Sequence, residues 1–498
     1  YILPVHQVIC LRRFRVVINL VIVPSEETEV KFLLIPDKIN DIMNVLHAIN
    51  PATEEVVGEY ALADVKEALS IAKNCEMAFD KWKKLTLEER IEHVRKIADE
   101  LKSKKEELAR TAALEMGKPI KEGRREVDKC VFITEYFCEK ACEFLKEEEI
   151  DIGAKKSYVR FEPIGTILGI MPWNFPYSQV VRSAVPTLLL GNTYLLKHST
   201  YVPGCSKKLE EIFSASLPEH VFANVICRGT VASRLIKSRY IKGVAFTGSV
   251  STGRKIARIA GANLKKVVLE LGGSDPFVVL KDADIEKTVE GCVKSRFKNK
   301  GEACNAAKRI IVVKEIAQEF TERFVERVKS LNVGDPLDES TEIGPLANKE
   351  QLEKIEAQVS DALQRGAKVL AGGKRLERKG YFYEPTVLVN IKRGMRVWKE
   401  EVFGPVAPVV IARNESHAIK LANDTKFGLG ASVWTRDTEK GERIAREIEA
   451  GMVYINKVVS SDARLPFGGV KQSGIGRELS RYGMLEFANI KSVVVQAV

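Results

Sequence analysis

Residues 165–200 read GTILGIMPWNFPYSQVVRSAVPTLLLGNTYLLKHST. Two short apolar runs, 165–171 and 193–197, flank a longer segment, 176–190, of helical length. Strand, crossover helix and strand form the repeating unit of a parallel sheet. The alternation continues downstream, with strands predicted at 221–226, 243–246 and 266–269 and helices at 204–214, 231–238 and 252–260. This order predicts a doubly wound α/β sheet. Ligands bind such sheets outside the carboxyl ends of the strands. The polar and glycine-rich loops fall at those ends, at 172–176, 197–200, 228–230 and 247–253.

Upstream, residues 63–82, 86–117 and 122–145 carry apolar residues at helical spacing. Thr86 and Glu89 have the spacing of a capping box, and Gly117-Lys118-Pro119 stops the second helix. Asn50-Pro51-Ala52-Thr53 is turn chemistry, and 157–162 alternates like a strand. Residues 1–43 do not share this regularity. Their apolar run, 16–23, is far shorter than the roughly 20 residues of a membrane span. A β-rich extra segment and a start assigned ahead of Met43 both fit, and no function is assigned to it. Downstream, a second α/β region begins near Pro276. Its strands are expected at 310–313, 406–411 and 431–434, its helices at 317–331 and 349–366, and a glycine-rich loop at 467–476. The apolar tail, 492–498, reads as an edge strand that pairs with another subunit.

The chain has 498 residues, too many for one compact core. Hydrophobic residues make up 45% and charged residues 29%, as in a globular enzyme. Nine cysteines are scattered without a CxxC pair, which argues against a disulfide framework or zinc site and for a reducing, cytoplasmic setting. None of the six histidines has metal-ligand spacing, so no metal is expected. The net charge of +11 is interleaved with acids, without a basic stripe carrying aromatics. That pattern argues against a nucleic-acid binder, and no membrane partner is expected.

The chemistry centres on residues 299–309, NKGEACNAAKR, where Gly301 and small residues flank Cys304. Five other motifs accompany it: Pro172-Trp173-Asn174-Phe175-Pro176, Phe246-Thr247-Gly248-Ser249, Leu269-Glu270-Leu271-Gly272-Gly273, Glu400-Glu401-Val402-Phe403-Gly404-Pro405 and Pro466-Phe467-Gly468-Gly469. In this order they resemble the aldehyde dehydrogenase superfamily from about residue 50 to the C-terminus. Lys197-His198 and the run 465–483 are most similar to NAD(P)-dependent succinate-semialdehyde dehydrogenases.

The resemblance implies an aldehyde dehydrogenase-like fold: a Rossmann-like cofactor domain (44–147 and 164–271), a second α/β catalytic domain (272–481) and a β oligomerisation extension (148–163 and 482–498). It implies Cys304 as the nucleophile, Glu270 as the general base and Asn174 as the oxyanion donor. Independent chemistry agrees, because a thiolate turns an aldehyde into a hydride-donating adduct, fixed donors stabilise its oxyanion, and a carboxylate activates water against the thioester. The presence of Glu270 favours water over coenzyme A as acyl acceptor. The implied cofactor set is Pro172, Trp173, Lys197, Ser199, Thr200, Gly229, Thr247, Gly248, Ser249, Gly253, Leu271, Glu401 and Phe403. Gly248, Ser249 and Gly253 place a tight turn and a helix N-terminus after a strand, which suits a pyrophosphate. NAD-preferring members often carry an acid where this chain has Thr200; without it a 2′-phosphate is not repelled, so NADP use is expected with NAD tolerated.

For the substrate, Arg182 matches a carboxylate-binding arginine of semialdehyde dehydrogenases, with Lys298 and Ser461 as further contacts. The expected reaction is oxidation of succinate semialdehyde to the dicarboxylate by a homodimer or homotetramer. Glutarate semialdehyde, a hydroxyaldehyde or an aliphatic aldehyde remain alternatives, as does a non-catalytic protein on the same scaffold. Glu302 stands where many relatives have glutamine. If it points inward it raises the thiol's pKa, with Lys298 opposing; if it points away it changes nothing.

Overall fold

The structure is a computed structural model and describes residues 44–496. The segment 1–43, with its apolar run and Met43, and the last two residues of the tail lie outside the described residues. The chain first forms a hairpin, β1 (Val45–Ile49) and β2 (Val56–Ala61), whose connection uses the turn at Asn50. Asn50 Oδ1 accepts from the Ala52 backbone N–H at 2.9 Å, which is the asparagine turn chemistry expected there.

Four helices follow: Val65–Trp82, Leu87–Ser103, Lys105–Met116 and Ile120–Phe144. Thr86 and Glu89 form the capping box. The expected single helix over 86–117 is two. Lys104 leaves helical geometry at φ −99°, ψ 13°, so the second helix can turn the buried Leu108, Ala112 and Met116 onto the core. No glycine or proline marks that break in the sequence.

Two strands, β3 (Glu148–Glu149) and β4 (Lys156–Pro163), lead into the sheet that decides the fold. Its members are β5 (Thr166–Met171), β6 (Thr193–His198), β7 (Phe222–Asn224), β8 (Ile241–Thr247) and β9 (Lys266–Glu270), all parallel, with helices Ser178–Leu190, Pro203–Ser216, Gly229–Lys237 and Val250–Gly261 between them. Almost every residue of β5 and β6 is buried, as expected of strands covered on both faces. The second sheet contains β10 (Asp275–Val279), β11 (Ala307–Val313), β12 (Lys368–Ala371), β13 (Thr386–Val389), β14 (Val406–Ala412), β15 (Gly430–Trp434) and β16 (Met452–Ile455). It runs in the order β12-β13-β14-β11-β10-β15-β16 and is parallel except at β12–β13.

One connection matters for the site. The short β17 (Gly474–Ile475) leaves the second region and pairs antiparallel with β9, Gly474 opposite Glu270. The first sheet thus has the order β17-β9-β8-β5-β6-β7. The C-terminal strand β18 (Ala488–Val495) pairs antiparallel with β4 over its whole length, in the order β18-β4-β3. The tail therefore finds a partner within its own chain, and its outer edge is the one left open.

Candidate active site

Asn174 follows β5 in the loop Pro172–Pro176, at the carboxyl end of the sheet as the alternation required. A buried carboxylate fixes what comes next. Glu126, on helix Ile120–Phe144, accepts from the backbone N–H groups of Tyr177 (3.0 Å) and Ser178 (2.9 Å), satisfying the orphan donors at the start of helix Ser178–Leu190. Its other oxygen meets the buried Lys118 ammonium. That helix presents Gln179 and Arg182. Gln179 Nε2 donates to Asn174 Oδ1 at 3.1 Å, so the Asn174 amide is held with its Nδ2 outward, donating to the Glu302 carbonyl at 3.0 Å.

Cys304 lies past a left-handed bend. Asn299 (φ 48°), Lys300 (φ 59°) and Gly301 (φ 75°) turn the chain three times in succession. Asn299 Nδ2 braces the bend by donating to the Asn174 carbonyl (2.8 Å) and the Glu302 carbonyl (3.1 Å). The thiol and the Asn174 amide are therefore joined through one hydrogen-bonded loop. Cys304 is half-buried, and burial pushes its thiol up to about 11. Arg182 and Lys308 pull the other way, while Glu401 and Glu270 add to the rise.

Glu302 points away from the thiol. Its carboxylate pairs with the buried Lys300 at 2.8 Å and accepts from the Ala347 backbone N–H at 3.1 Å. The inward alternative is thereby corrected. Lys298 is not the cation that offsets charge at Cys304 either; Arg182 and Lys308 hold that position.

Glu270 ends β9. It is buried, and neither carboxyl oxygen has a hydrogen-bond partner. Burial and the neighbouring Glu478 raise its pKa well above the ordinary carboxylate value. Burial raises the pKa of Glu478 as well, and the Arg182 guanidinium paired with it pulls the other way. Glycine at 468 makes the room: a Cβ there would stand 2.7 Å from Glu270 Oε1.

Arg182, expected to bind substrate carboxylate, is buried and engaged by Glu478. Its guanidinium also lies 4.6 Å from the Phe467 ring centroid and donates to Thr247 Oγ1 at 3.4 Å. Lys298 is exposed, with its ammonium 5.5 Å from the Phe175 ring centroid. Ser461 Oγ accepts from Lys129 Nζ.

The residues expected to hold the cofactor lie at the strand ends and the loops beyond them. Ser249 caps helix Val250–Gly261, accepting from Thr252 N. A Cβ at Gly253 would stand 2.5 Å from Leu271, so only glycine lets this helix start so close to β9. Gly248 donates its N–H to the Glu270 carbonyl at 2.9 Å. Gly229 opens helix Gly229–Lys237 with nothing within 4 Å of a Cβ position. Lys197, at the end of β6, is buried and has no hydrogen bond or ion pair among the described residues, and burial lowers its pKa. An unpartnered ammonium beside open helix N-termini fits a phosphorylated dinucleotide.

His198 ties two of these loops together. Its Nε2 donates to the Pro176 carbonyl (2.8 Å), and its Nδ1 accepts from Ser199 N–H (2.8 Å). Burial pulls it down to about 4, so it stays neutral, as both bonds require. Ser199 and Thr200 follow in the half-buried turn. Trp173 meets Phe403 edge-on, with centroids 5.7 Å apart, and Pro172 precedes it in the same loop. Glu401 accepts from the Gly273 backbone N–H at 3.0 Å and pairs with Lys308 at 3.2 Å.

Sequence reasoning missed Lys308, Glu478, Gln179 and Lys129. Lys308 is fully buried, donates to the Cys304 carbonyl, pairs with Glu401 and lies 5.7 Å from the Phe403 ring centroid. Its position four residues after the cysteine was the available signal. Glu478 stood inside a run already noted for its similarity. Gln179 and Lys129 had no signal beyond being polar residues on helices, Gln179 on one that is buried throughout.

A thiol, a buried carboxyl without donors, an aimed amide and helix N-termini at a sheet edge fit a dehydrogenase. Residues 40–493 match the aldehyde dehydrogenase family, and the chain belongs to that family. It is 43% identical over 450 residues to the NAD(P)+-dependent succinate semialdehyde dehydrogenase Sad of Escherichia coli K12, covering 90% of this chain and 97% of that protein. A probable NADP+-dependent succinate-semialdehyde dehydrogenase of Synechocystis is 42% identical over 89% of this chain and 98% of its own. Among solved structures, the Streptococcus pyogenes succinic semialdehyde dehydrogenase in complex with NADP+ superposes with a TM-score of 0.89 at 32% identity, covering 91% of this chain and all of that one (100%). The Staphylococcus aureus betaine aldehyde dehydrogenase in complex with NAD+ gives 0.87 at 33% identity, covering 91% of each chain.

Proposed function

We propose that this chain oxidises succinate semialdehyde to the dicarboxylate with reduction of NADP, NAD being a poorer alternative. The observation that carries the chemistry is Glu270: a buried carboxyl with both oxygens free of donors, set against the charge field of Cys304. The Cys304 thiol adds to the aldehyde carbon and its proton leaves to a base. The oxyanion accepts from Asn174 Nδ2, released from the Glu302 carbonyl, and from the Cys304 backbone N–H. NADP or NAD supplies the hydride acceptor when bound along β8 and β9. Loss of hydride from the adduct leaves a thioester on Cys304. Glu270 takes a proton from water, the resulting hydroxide adds to the thioester, and the thiolate leaves. Burial lifts this carboxyl well above the ordinary carboxylate value, which strengthens it as a base once ionised.

Lys197, the turn at Ser199 and Thr200, and the names of the relatives support NADP. The relatives' substrate, and Lys129 set near Lys298 and Arg182 with no ion pair of its own among the described residues, support an aldehyde with a distal carboxylate. Assembly as a homo-oligomer through β18, and a cytoplasmic setting in keeping with eight unpaired cysteines among the described residues, belong to the same reading. Among the described residues no helix is long and apolar enough to cross a membrane. Steady-state kinetics of succinate semialdehyde, glutarate semialdehyde and butanal with each cofactor test it. The expected result is the highest kcat/KM for succinate semialdehyde with NADP. A large preference for NAD rejects the cofactor assignment, and no preference for a carboxylated aldehyde rejects the substrate.

A further inference from the structure

Arg182, the cation expected to receive the substrate carboxylate, is already paired with Glu478. The charge balance nearby points elsewhere. Lys129, on helix Ile120–Phe144, is half-buried, and its ammonium donates to Ser461 Oγ. Among the described residues it has no ion pair. Ser461 is tied to the nucleophile's own loop, because Asn305 Nδ2, next to Cys304, donates to the Val459 carbonyl at 3.1 Å. Tyr454 Oη donates to the Ser460 carbonyl at 2.8 Å and steadies the same segment.

We propose that Lys129, together with Ser461, receives the distal carboxylate of the aldehyde substrate and sets the enzyme's preference for carboxylated aldehydes. The proposal rests on the semialdehyde reading above. A half-buried ammonium is costly without a counter-charge. Here burial, and then Lys298 and Arg182, depress its pKa to about 7, with only weak opposition from Cys130 and Glu126. A carboxylate between Lys129 Nζ and Ser461 Oγ supplies the missing charge and a charge-assisted hydrogen bond. In succinate semialdehyde two methylene groups separate that carboxylate from the aldehyde carbon, so the anion stays near the residues tethered to Asn305.

The test compares kcat/KM for succinate semialdehyde and for butanal in the wild-type enzyme, K129M and K129R. The ratio of the two is expected to fall about 10- to 100-fold in K129M, mainly through KM for the semialdehyde, and to be largely kept in K129R. A merely structural lysine would lower both aldehydes together and leave the ratio unchanged, which overturns the proposal. A wild-type preference for the semialdehyde that survives K129M likewise overturns it while leaving the substrate reading intact. A wild-type enzyme without that preference overturns the substrate reading and this proposal with it. K129Q, which keeps a donor for Ser461 but no charge, replaces K129M if the methionine does not fold, and carries the same expected fall.

Discussion

Cys304 sits among charges of both signs, and which of them reach it decides its reactivity. Arg182 and Lys308 favour the thiolate; burial, Glu401 and Glu270 oppose it. Below its folded pKa the thiol is chiefly protonated, so inactivation of the cofactor-free enzyme by iodoacetamide should speed up as pH rises through 8 and 9. Removing a cation that favours the thiolate raises the pKa further, so K308M should be inactivated more slowly than wild type at pH 8. E302Q should leave that pH dependence where it is, because Glu302 faces Lys300 and Ala347. It should instead lower the urea midpoint, by an amount corresponding to about 3 kcal/mol, since a buried ammonium loses its carboxylate. A shifted pH dependence in E302Q would place the carboxylate near the thiol and contradict the geometry. Cys304, Glu270 and Asn174 were legible as candidates because each stands in a local motif. Lys129 was not: its partner Ser461 is 332 residues away in sequence, and only the folded chain joins them.

At the scale of elements, the bend ahead of Cys304 is where local sequence and tertiary contact meet. Two consecutive non-glycine residues, Asn299 and Lys300, adopt left-handed conformations, which cost energy and persist only when surroundings over-determine them. The surroundings are visible. Asn299 is bound to two carbonyls, Asn299 N–H donates to Glu122 at 2.7 Å, and Lys300 Nζ donates to the Met116 carbonyl at 2.6 Å. Gly301 completes the bend against the segment that carries Glu401 and Phe403: a Cβ there would come 2.3 Å from the Gly404 carbonyl. G301A should therefore displace the nucleophile and the cofactor segment together. We expect a fall in kcat/KM of at least about 100-fold, with KM for NADP raised, measured against wild type in the same assay. A near wild-type value would show that the two segments move independently. The strand and helix order was legible from apolar periodicity alone. The break at Lys104 and the two-residue β17 were not, because neither carries a glycine-proline stop or enough residues to show a period.

At the scale of the whole molecule, two sheets with strand ends facing a shared loop set explain why residues from three distant stretches meet. β17 brings the 467–478 loop against Glu270, and the Phe467–Glu478 backbone pair (2.7 and 2.8 Å) positions the carboxylate that holds Arg182. The third sheet serves a different end. β18 pairs with β4 along one side only, and it carries exposed Ile490 (59%) and Val494 (55%), two apolar residues two strand repeats apart on the same face. An apolar edge strand of eight residues left to water invites pairing, and natural proteins cover such edges. The tail was legible as an edge, but the choice between a partner in the same chain and one in another copy was not, because both present the same backbone ladder. β4 takes the inner side, which leaves the outer side open for the pairing with a second copy proposed above. Placing lysine at both positions, I490K with V494K, charges that edge without touching the strand's pairing with β4. Sedimentation velocity should then show a shift from the wild-type oligomer to smaller species at the same concentration. An unchanged sedimentation coefficient would mean that another surface holds the copies together.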